Sequence, residues 1–324
     1  MIRSSEFRPP RWLRNGHAQT LWPHVIRRPP QVTLDMETLE LADGDCIQLA
    51  WGPPAPGPAV ILLHGLGGCA RSGYILGLLH KLHQAGLQGV VMQFRGAGGI
   101  PNRLPRFFHA GETGDLQQTV THVKNRLPGR STAVVGFSMG GIITLNWLAE
   151  HGDHANVDTA ITVSTPLHLE PCAHRLNQGL SRIYQWDIVR GLKRLVEIKH
   201  ATRPLAVNIG DVRAIRTLWD FDDRLTGPLH GFRNADDYYQ RCSPATRLNR
   251  IGRPTLLLHA ADDPFIPLET LPDAGDYPAN VHMELSSHGG HVGFVHGHSP
   301  FQPTYWLEER ILRHLRETLE FCTR

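Results

Sequence analysis

The chain has 324 residues, of which 41% are hydrophobic and 19% charged, and its formal net charge is +3. This composition is typical of a globular protein with a hydrophobic core, and the length suits one large α/β domain or two ordinary ones. Lys and Arg are scattered, with no basic run beside aromatic residues, so nucleic-acid binding is not expected.

The cysteines indicate a reducing compartment. They are odd in number and include no Cys-x-x-Cys pair, which is typical of free thiols rather than of a disulfide framework. The five are Cys46, Cys69, Cys172, Cys242 and Cys322. The N-terminus has no apolar core of signal-peptide length, and no apolar stretch reaches the ~18 residues of a membrane span. We therefore expect a cytoplasmic protein, for which peripheral membrane contact stays open.

The first predicted elements are an arm and a hairpin. Residues 1–31 are rich in Pro, Arg and Trp without a clear period, which predicts an extended arm that Trp12 and Trp22 anchor to the body. Residues 32–41 alternate between apolar and polar, as in a half-buried strand. A turn at 43–45 leads to a second strand that ends at Trp51, and the two strands predict a hairpin.

A different rhythm follows, in which short continuous apolar runs alternate with helical patterns. Such runs are typical of strands buried on both faces of a sheet. The predicted strands are 59–63, 89–94, 131–137 and 159–163, and the helices between them are 74–85, 113–126 and 139–150. This alternation predicts an α/β fold with a mostly parallel sheet and helices on both faces.

The alternation stops at Pro166, and the chain to about Leu248 is amphipathic and helical. Strands at 254–259 and 281–285 and a final helix at 305–321 then resume the rhythm. The predicted organisation is an arm at 1–31, a core formed by 32–165 and 249–324, and a helical lid inserted at 166–248.

A Gly-x-Ser-x-Gly pattern at 136–140 places Ser138 directly after a predicted buried strand and directly before a helix. The pattern is common by chance, but this strand–turn–helix setting is the sharp elbow that exposes a catalytic serine. The flanking glycines are expected because the strained turn leaves no room for side chains. Ser138 is therefore the predicted nucleophile.

The acid and the base should follow the serine in that order along the chain. The acid is expected after the strand that follows the insertion, where Asp262 and Asp263 precede Pro264. The position directly before the proline favours Asp263, which leaves Asp262 to cap the loop or to accept main-chain N–H groups.

Four histidines after the last predicted strand are candidates for the base: His288, His291, His296 and His298. Two glycines precede His291, and a tight loop there can bring its imidazole to the serine, so His291 is favoured. The cluster invites a zinc site, yet no His-x-x-x-His pair lies on a predicted helix and no cysteine is near. No metal is expected.

The Gly-rich run at 64–68 follows the first buried strand, where such folds place one donor for a developing oxyanion. The predicted donors are the main-chain N–H groups of Leu66 and Met139. The run lacks the Lys-Ser/Thr ending of a phosphate-binding loop, so no nucleotide is expected and no cofactor is predicted.

Several of these segments together resemble the YheT-like branch of the α/β-hydrolases. The carrying segments are 11–21, 64–68, 94–96 with 101–103, 136–141, 231–239, 261–264 and 289–294. The first, the fifth and the last are specific to this branch. The resemblance implies an esterase-like hydrolase with a triad of Ser138, Asp263 and His291.

The leading functional hypothesis is hydrolysis of a small-molecule carboxylic ester through an acyl-enzyme. Apolar and aromatic residues of the insertion are candidates for an acyl pocket, or else only pack the lid: Leu180, Ile183, Tyr184, Trp186, Leu192 and Trp219. One alternative is an acyltransferase that passes the acyl group to an alcohol. Another is a non-enzymatic binding protein on a hydrolase scaffold, against which the complete triad argues.

Overall fold

The computed structural model describes residues 1–205, 207–273, 275 and 277–319. Within these ranges, nine strands form one twisted sheet: β1 Ile2–Ser4, β2 Asp35–Glu40, β3 Cys46–Trp51, β4 Ala59–Leu63, β5 Gln88–Gln93, β6 Thr132–Phe137, β7 Thr159–Val163, β8 Thr255–Ala260 and β9 Val281–Ser286. Two short strands, β10 Val295–His296 and β11 Thr304–Tyr305, pair separately.

The strand order is β1-β9-β8-β7-β6-β4-β5-β3-β2. In this spatial order, the neighbouring strands between β1 at one edge and β5 are all parallel. The β2–β3 hairpin is antiparallel, and its strand β3 joins β5 in antiparallel fashion. The central strands β4, β6 and β7 are buried at every residue. Their continuous apolar runs are explained by helices that cover both faces of the sheet.

The helices are α1 Gly16–Val25, α2 Gly73–Gln84, α3 Thr113–Arg126, α4 Met139–His151, α5 Leu169–Arg175, α6 Ser181–Thr202, α7 Ile209–Ala214, α8 Leu218–Phe221, α9 Gly227–Leu229, α10 Ala235–Cys242 and α11 Trp306–Thr318. Apolar residues of α3 and α4 pack on one face of the sheet, and those of α2 and α11 pack on the other. The mostly parallel α/β fold with helices on both faces is thus confirmed. No helix in the described ranges is both long and apolar enough to cross a membrane.

The N-terminal residues depart from the predicted extended arm. They contain strand β1, which pairs in parallel with β9 at the edge of the sheet, and helix α1, which Asn15 caps through its side chain. Strand β1 has only three residues and α1 contains Pro23, so neither carries a readable period. Trp12 and Trp22 pack edge to face, with ring centroids 4.8 Å apart.

At the other end, α11 ends at Thr318, whereas the predicted final helix extends to 321. Positions 320 and 321 and Cys322 lie outside the described residues. The four cysteines within the described ranges are free thiols.

Arg95 ties three segments together beneath the carboxyl edge of the sheet. Its guanidinium binds both oxygens of Asp115 on α3, at 2.8 and 2.6 Å. It also reaches Asp43 and Asp45 in the hairpin turn, at 2.6 and 3.0 Å. The guanidinium is almost fully buried, so its several carboxylate partners compensate for the loss of water.

The helical insertion is anchored to the core through Lys199 on α6, which is 1% exposed. Its ammonium group donates to the main-chain oxygen of Asn102 at 2.7 Å, to the Asn102 side-chain oxygen at 2.6 Å, and to the main-chain oxygen of Leu104. These three acceptors satisfy the buried ammonium and hold α6 against the loop after β5.

Candidate active site

Ser138 lies in the turn between β6 and α4 with φ 50° and ψ −114°, a strained conformation for a residue with a side chain. Its main-chain N–H donates to Val163 on β7 at 2.9 Å, which holds the turn against the sheet. A Cβ at Gly140 would lie 2.5 Å from the Leu63 main-chain oxygen, so only glycine fits. The serine is therefore lifted at the carboxyl edge of the sheet by a turn that the neighbouring strands hold in place.

The structure brings the three predicted triad residues together. His291 Nε2 lies 3.0 Å from Ser138 Oγ, and His291 Nδ1 lies 2.9 and 3.2 Å from the two carboxylate oxygens of Asp263. Asp263 follows β8 and its side chain has no exposed surface, and the Phe265 main-chain N–H also donates to it. This is the geometry in which a carboxylate holds an imidazole against a serine hydroxyl.

Asp262 has different partners from its neighbour. Its side chain accepts the main-chain N–H of Gly290 at 2.9 Å and lies 3.3 Å from His288 Nδ1. Burial raises the pKa of this carboxyl, against the main-chain and His288 hydrogen bonds that lower it. Asp262 therefore holds the loop that carries His291. No group of three or more metal-ligating side chains is found within the described residues.

The loop after β4 lies against the elbow. The Gly65 main-chain N–H donates to the Tyr74 hydroxyl at 2.9 Å, and the buried His64 ring contacts the Gly65 oxygen through Nδ1 at 2.8 Å. Burial lowers the pKa of His64 to about 4, so this ring is neutral. Across the described residues, the main-chain N–H groups of Leu66 and Met139 donate to no protein acceptor.

Helix α1 supports the loop that carries His291. The prediction of an extended arm did not include this contact. Thr20 Oγ1 accepts the main-chain N–H of His291 at 2.9 Å and donates to the Gly16 oxygen at 2.8 Å. The fully buried Gln19 side chain bonds both main-chain groups of Val295, at 2.7 and 2.9 Å. A Cβ at Gly16 would lie 2.1 Å from the Asp262 main-chain oxygen. These contacts tie α1 to the loops that carry Asp262 and His291.

A column of stacked rings reaches His291 from the insertion. Phe265 stacks on His291 with centroids 4.0 Å apart, and Tyr184 on α6 stacks on Phe265 at 4.9 Å. His17 on α1 closes the column, with its Nδ1 3.0 Å from the Tyr184 hydroxyl. The rings lie far apart in sequence, so no local pattern predicts the column, and Phe265 and His17 were not among the predicted site residues.

A cavity of about 770 Å³ extends from Ser138 and His291 beneath the insertion. Its wall is mostly apolar and comes from α1, α4, α5, α6, α8 and the loop at 107–110. The predicted pocket residues that line it are Ile183, Tyr184, Trp186 and Leu192. A cavity of this size suits an apolar ligand of many carbon atoms.

Two predicted pocket residues lie elsewhere. Trp219 is half-buried, and its indole N–H donates to Asp236 at 3.1 Å outside the cavity, whereas its chain neighbour Leu218 lines the wall. Of the two alternatives for Trp219, this position corresponds to packing within the insertion, and α8 has only four residues, too few for a sequence period to show which side faces inward. Leu180 is 60% exposed at the start of α6, also outside the wall.

The wall also contains a buried carboxyl, that of Asp222, in a turn of π-helix at Asp222–Thr226. It accepts from Thr226 Oγ1 at 2.7 Å and from the Tyr239 hydroxyl at 2.8 Å. Burial raises its pKa to about 6, against these two hydrogen bonds that lower it. The loss of water around this carboxyl is thus compensated by two hydroxyl groups of the insertion itself.

Comparison with known proteins places the chain among hydrolases by sequence. The family described as alpha/beta hydrolase fold matches residues 58–297. The chain is 40% identical over 323 residues to the Escherichia coli K12 protein named "Putative esterase YheT", covering 98% of this chain and 95% of that protein. It is 31% identical to mouse "Phospholipase ABHD3", covering 94% and 77%. It is also 31% identical to yeast "Monoacylglycerol lipase", covering 80% and 59%.

Solved structures show the same fold at low identity. The Pyrococcus furiosus esterase Pf2001 superposes with a TM-score of 0.59 at 15% identity, over 98% of this chain and all of that one. The esterase EaEST from Exiguobacterium antarcticum gives 0.55 at 16% identity, over 86% and 98%. The extent and level of the sequence similarity, together with this fold, show that the chain belongs to the α/β-hydrolase family and, within it, to the YheT-like branch.

Proposed function

We propose that this protein is a serine hydrolase that cleaves carboxylic esters with apolar acyl chains through an acyl-enzyme. The observation that carries the proposal is the hydrogen-bonded line from Ser138 Oγ through His291 to Asp263, at 3.0 and 2.9 Å, in the wall of a large apolar cavity. The relatives named as a phospholipase and a monoacylglycerol lipase support a lipid-like ester.

In the proposed mechanism His291 accepts the Ser138 proton as Oγ attacks the ester carbonyl. Asp263 holds the ring in the tautomer that this step needs and stabilises the imidazolium. The main-chain N–H groups of Leu66 and Met139 bind the developing oxyanion. His291 then protonates the leaving alcohol, and a water molecule, activated by the same imidazole, releases the acid and restores Ser138.

Hydrolysis of p-nitrophenyl acetate, butyrate, octanoate and laurate tests the proposal. We expect kcat/KM to rise with chain length by up to about fourfold per methylene, because each added group is buried in the cavity. Ser138→Ala is expected to lose at least about 10⁴-fold in kcat and all labelling by a fluorophosphonate probe, with an unchanged circular dichroism spectrum. A folded wild-type protein that cleaves none of these esters and resists the probe would refute the proposal.

A further inference from the structure

Exposed apolar side chains concentrate around one place on this molecule. Of the eleven large hydrophobic side chains that are exposed within the described residues, six lie on α1, on α6 or at the ends of these two helices. We call these six the mouth patch: Leu21, Val25, Ile26, Leu180, Ile183 and Trp186. Their exposed fractions run from 40% to 71%. Single exposed apolar residues are ordinary, but a cluster of this kind marks an interaction surface.

The two helices meet at the opening of the cavity. The His17 ring on α1 is bonded to the Tyr184 hydroxyl on α6, at 3.0 Å. Leu21, Ile183 and Trp186 belong to the cavity wall and are nevertheless 40%, 56% and 60% exposed. They therefore form its rim, where apolar side chains of the cavity wall are also exposed on the outside of the protein.

The charges beside the mouth patch are mostly positive. Residues 16–34, which include α1, contain no Asp or Glu. Arg28 and Arg182 are exposed next to patch residues, and the Arg190 guanidinium lies over the Trp186 ring at 4.4 Å. The acidic residue among those at the exposed start of α6, Asp187, is paired with Arg190 at 2.7 Å. Tryptophan and arginine beside exposed aliphatic side chains are typical of helices that lie at a membrane interface.

From these features we propose that the mouth patch docks on an anionic lipid surface, so that an apolar ligand enters the cavity directly from the lipid. A protein partner, or a second copy of the chain, seated on the same rim would cover the opening. A lipid surface instead provides the apolar ligand and spares it a passage through water. The docking itself does not require the proposed hydrolysis, so the two can fail separately.

The test is cosedimentation of the full chain with vesicles of phosphatidylcholine alone or mixed with phosphatidylglycerol. We expect binding to the mixed vesicles that weakens at high salt, because screening removes the attraction of the arginines. Val25→Ser/Ile26→Ser should weaken partitioning by about tenfold or more, since both side chains lose apolar area that the lipid would bury. Arg28→Gln/Arg182→Gln should bind mixed vesicles little better than phosphatidylcholine alone.

Met36→Ser is the matched control, because Met36 is 42% exposed but lies outside the mouth patch, on the edge strand β2. It should bind vesicles as the wild type does. None of these substituted residues lines the cavity, so all variants should cleave soluble p-nitrophenyl acetate at the wild-type rate.

Wild-type protein that leaves the mixed vesicles unbound would overturn the docking proposal, as would a Val25→Ser/Ile26→Ser variant that binds them unchanged. A shift in sedimentation coefficient of that variant without vesicles would identify the patch as a contact between copies, and would also overturn it. Wild-type protein that binds the mixed vesicles but cleaves no p-nitrophenyl ester would count against the proposed hydrolase and leave the docking proposal standing.

Discussion

Two adjacent carboxylates, Asp262 and Asp263, face in different directions at the end of β8. The Asp263 side chain is fully buried against His291, whereas that of Asp262 is 22% exposed and holds Gly290 and His288. A residue that contacts the His291 ring and a residue that holds its loop thus stand next to each other in the chain. The same substitution, aspartate to asparagine, can be made at either position, so each variant serves as a control for the other.

Asp263→Asn is expected to lower kcat by about 10⁴-fold, because the amide cannot stabilise the imidazolium and favours the wrong tautomer of His291. Asp262→Asn should lower it by less than about tenfold, since the amide oxygen still accepts the Gly290 N–H. Steady-state kinetics with p-nitrophenyl butyrate measures both. Equal losses in the two variants would contradict the assignment of the acid to Asp263.

Individual site residues were predictable where local chemistry marks them. Ser138 has a glycine at either side of its turn, Asp263 precedes a proline and His291 follows two glycines, and the structure brings all three within hydrogen-bonding distance. Phe265 and Tyr184 carry no such mark. Their roles come from the packing of segments 81 positions apart, and a sequence pattern describes only neighbours along one element.

At the scale of elements, helix α1 links the N-terminal residues to the loop of the base. The main-chain N–H of His291 has Thr20 Oγ1 as its acceptor. The Gln19 side chain bonds both main-chain groups of Val295, further along the same loop. The helix forms despite Pro23 because Asn15 caps its first turn and Gly16 allows close approach to Asp262. Stabilisation of this kind comes from tertiary contacts, which explains why the sequence indicated only an extended arm.

Thr20→Val is expected to lower kcat by about tenfold, because the half-buried His291 N–H then loses its acceptor and the imidazole is held less firmly. Thr20→Ser keeps the hydroxyl and should retain most of the wild-type kcat. The comparison is made with p-nitrophenyl acetate, whose short chain makes few contacts with the cavity. If serine fails to rescue the rate, the hydroxyl is not what positions the loop.

The insertion offers a second test at this scale. Lys199→Met should lower the free energy of unfolding by about 2 kcal/mol, because the Asn102 and Leu104 acceptors remain buried without their donor. Lys193→Met on the same helix, where Nζ makes an exposed bond to Arg213, should change it by less than about 0.5 kcal/mol. Urea unfolding at neutral pH compares the two. Similar losses would show that Lys199 does not anchor α6.

At the scale of the whole molecule, burial of histidine couples stability to pH. Burial is the main cause that lowers the pKa of five histidine rings. The pKa falls to about 3 for His109 and to about 4 for His64, His230, His259 and His314. Burial acts oppositely on two carboxyls, raising the pKa of Glu112 to about 7 and that of Asp222 to about 6. The histidines outnumber these carboxyls.

Below the ordinary histidine pKa the unfolded chain binds more protons than the folded protein, so stability falls as pH drops. The two carboxyls act in the opposite sense, since their folded forms hold protons that are lost as pH rises. We expect a net fall from about pH 7 to about pH 5.5, with about 1 kcal/mol from each histidine. Urea midpoints across this range measure it, and a constant midpoint would contradict it. His314→Gln should reduce the histidine contribution by about a fifth.

The parallel pairing of β1 with β9 has a consequence for how the protein is made. Strand β1 is translated long before its neighbour in the sheet, which forms only when residues near 283 exist, and α1 has no loop to hold until His291 is made. A growing chain that already displays Ser138 therefore has a nucleophile without its base. Under the proposed function, the ability to attack an ester arises only after the segment that carries His291 has been made, 153 positions after Ser138.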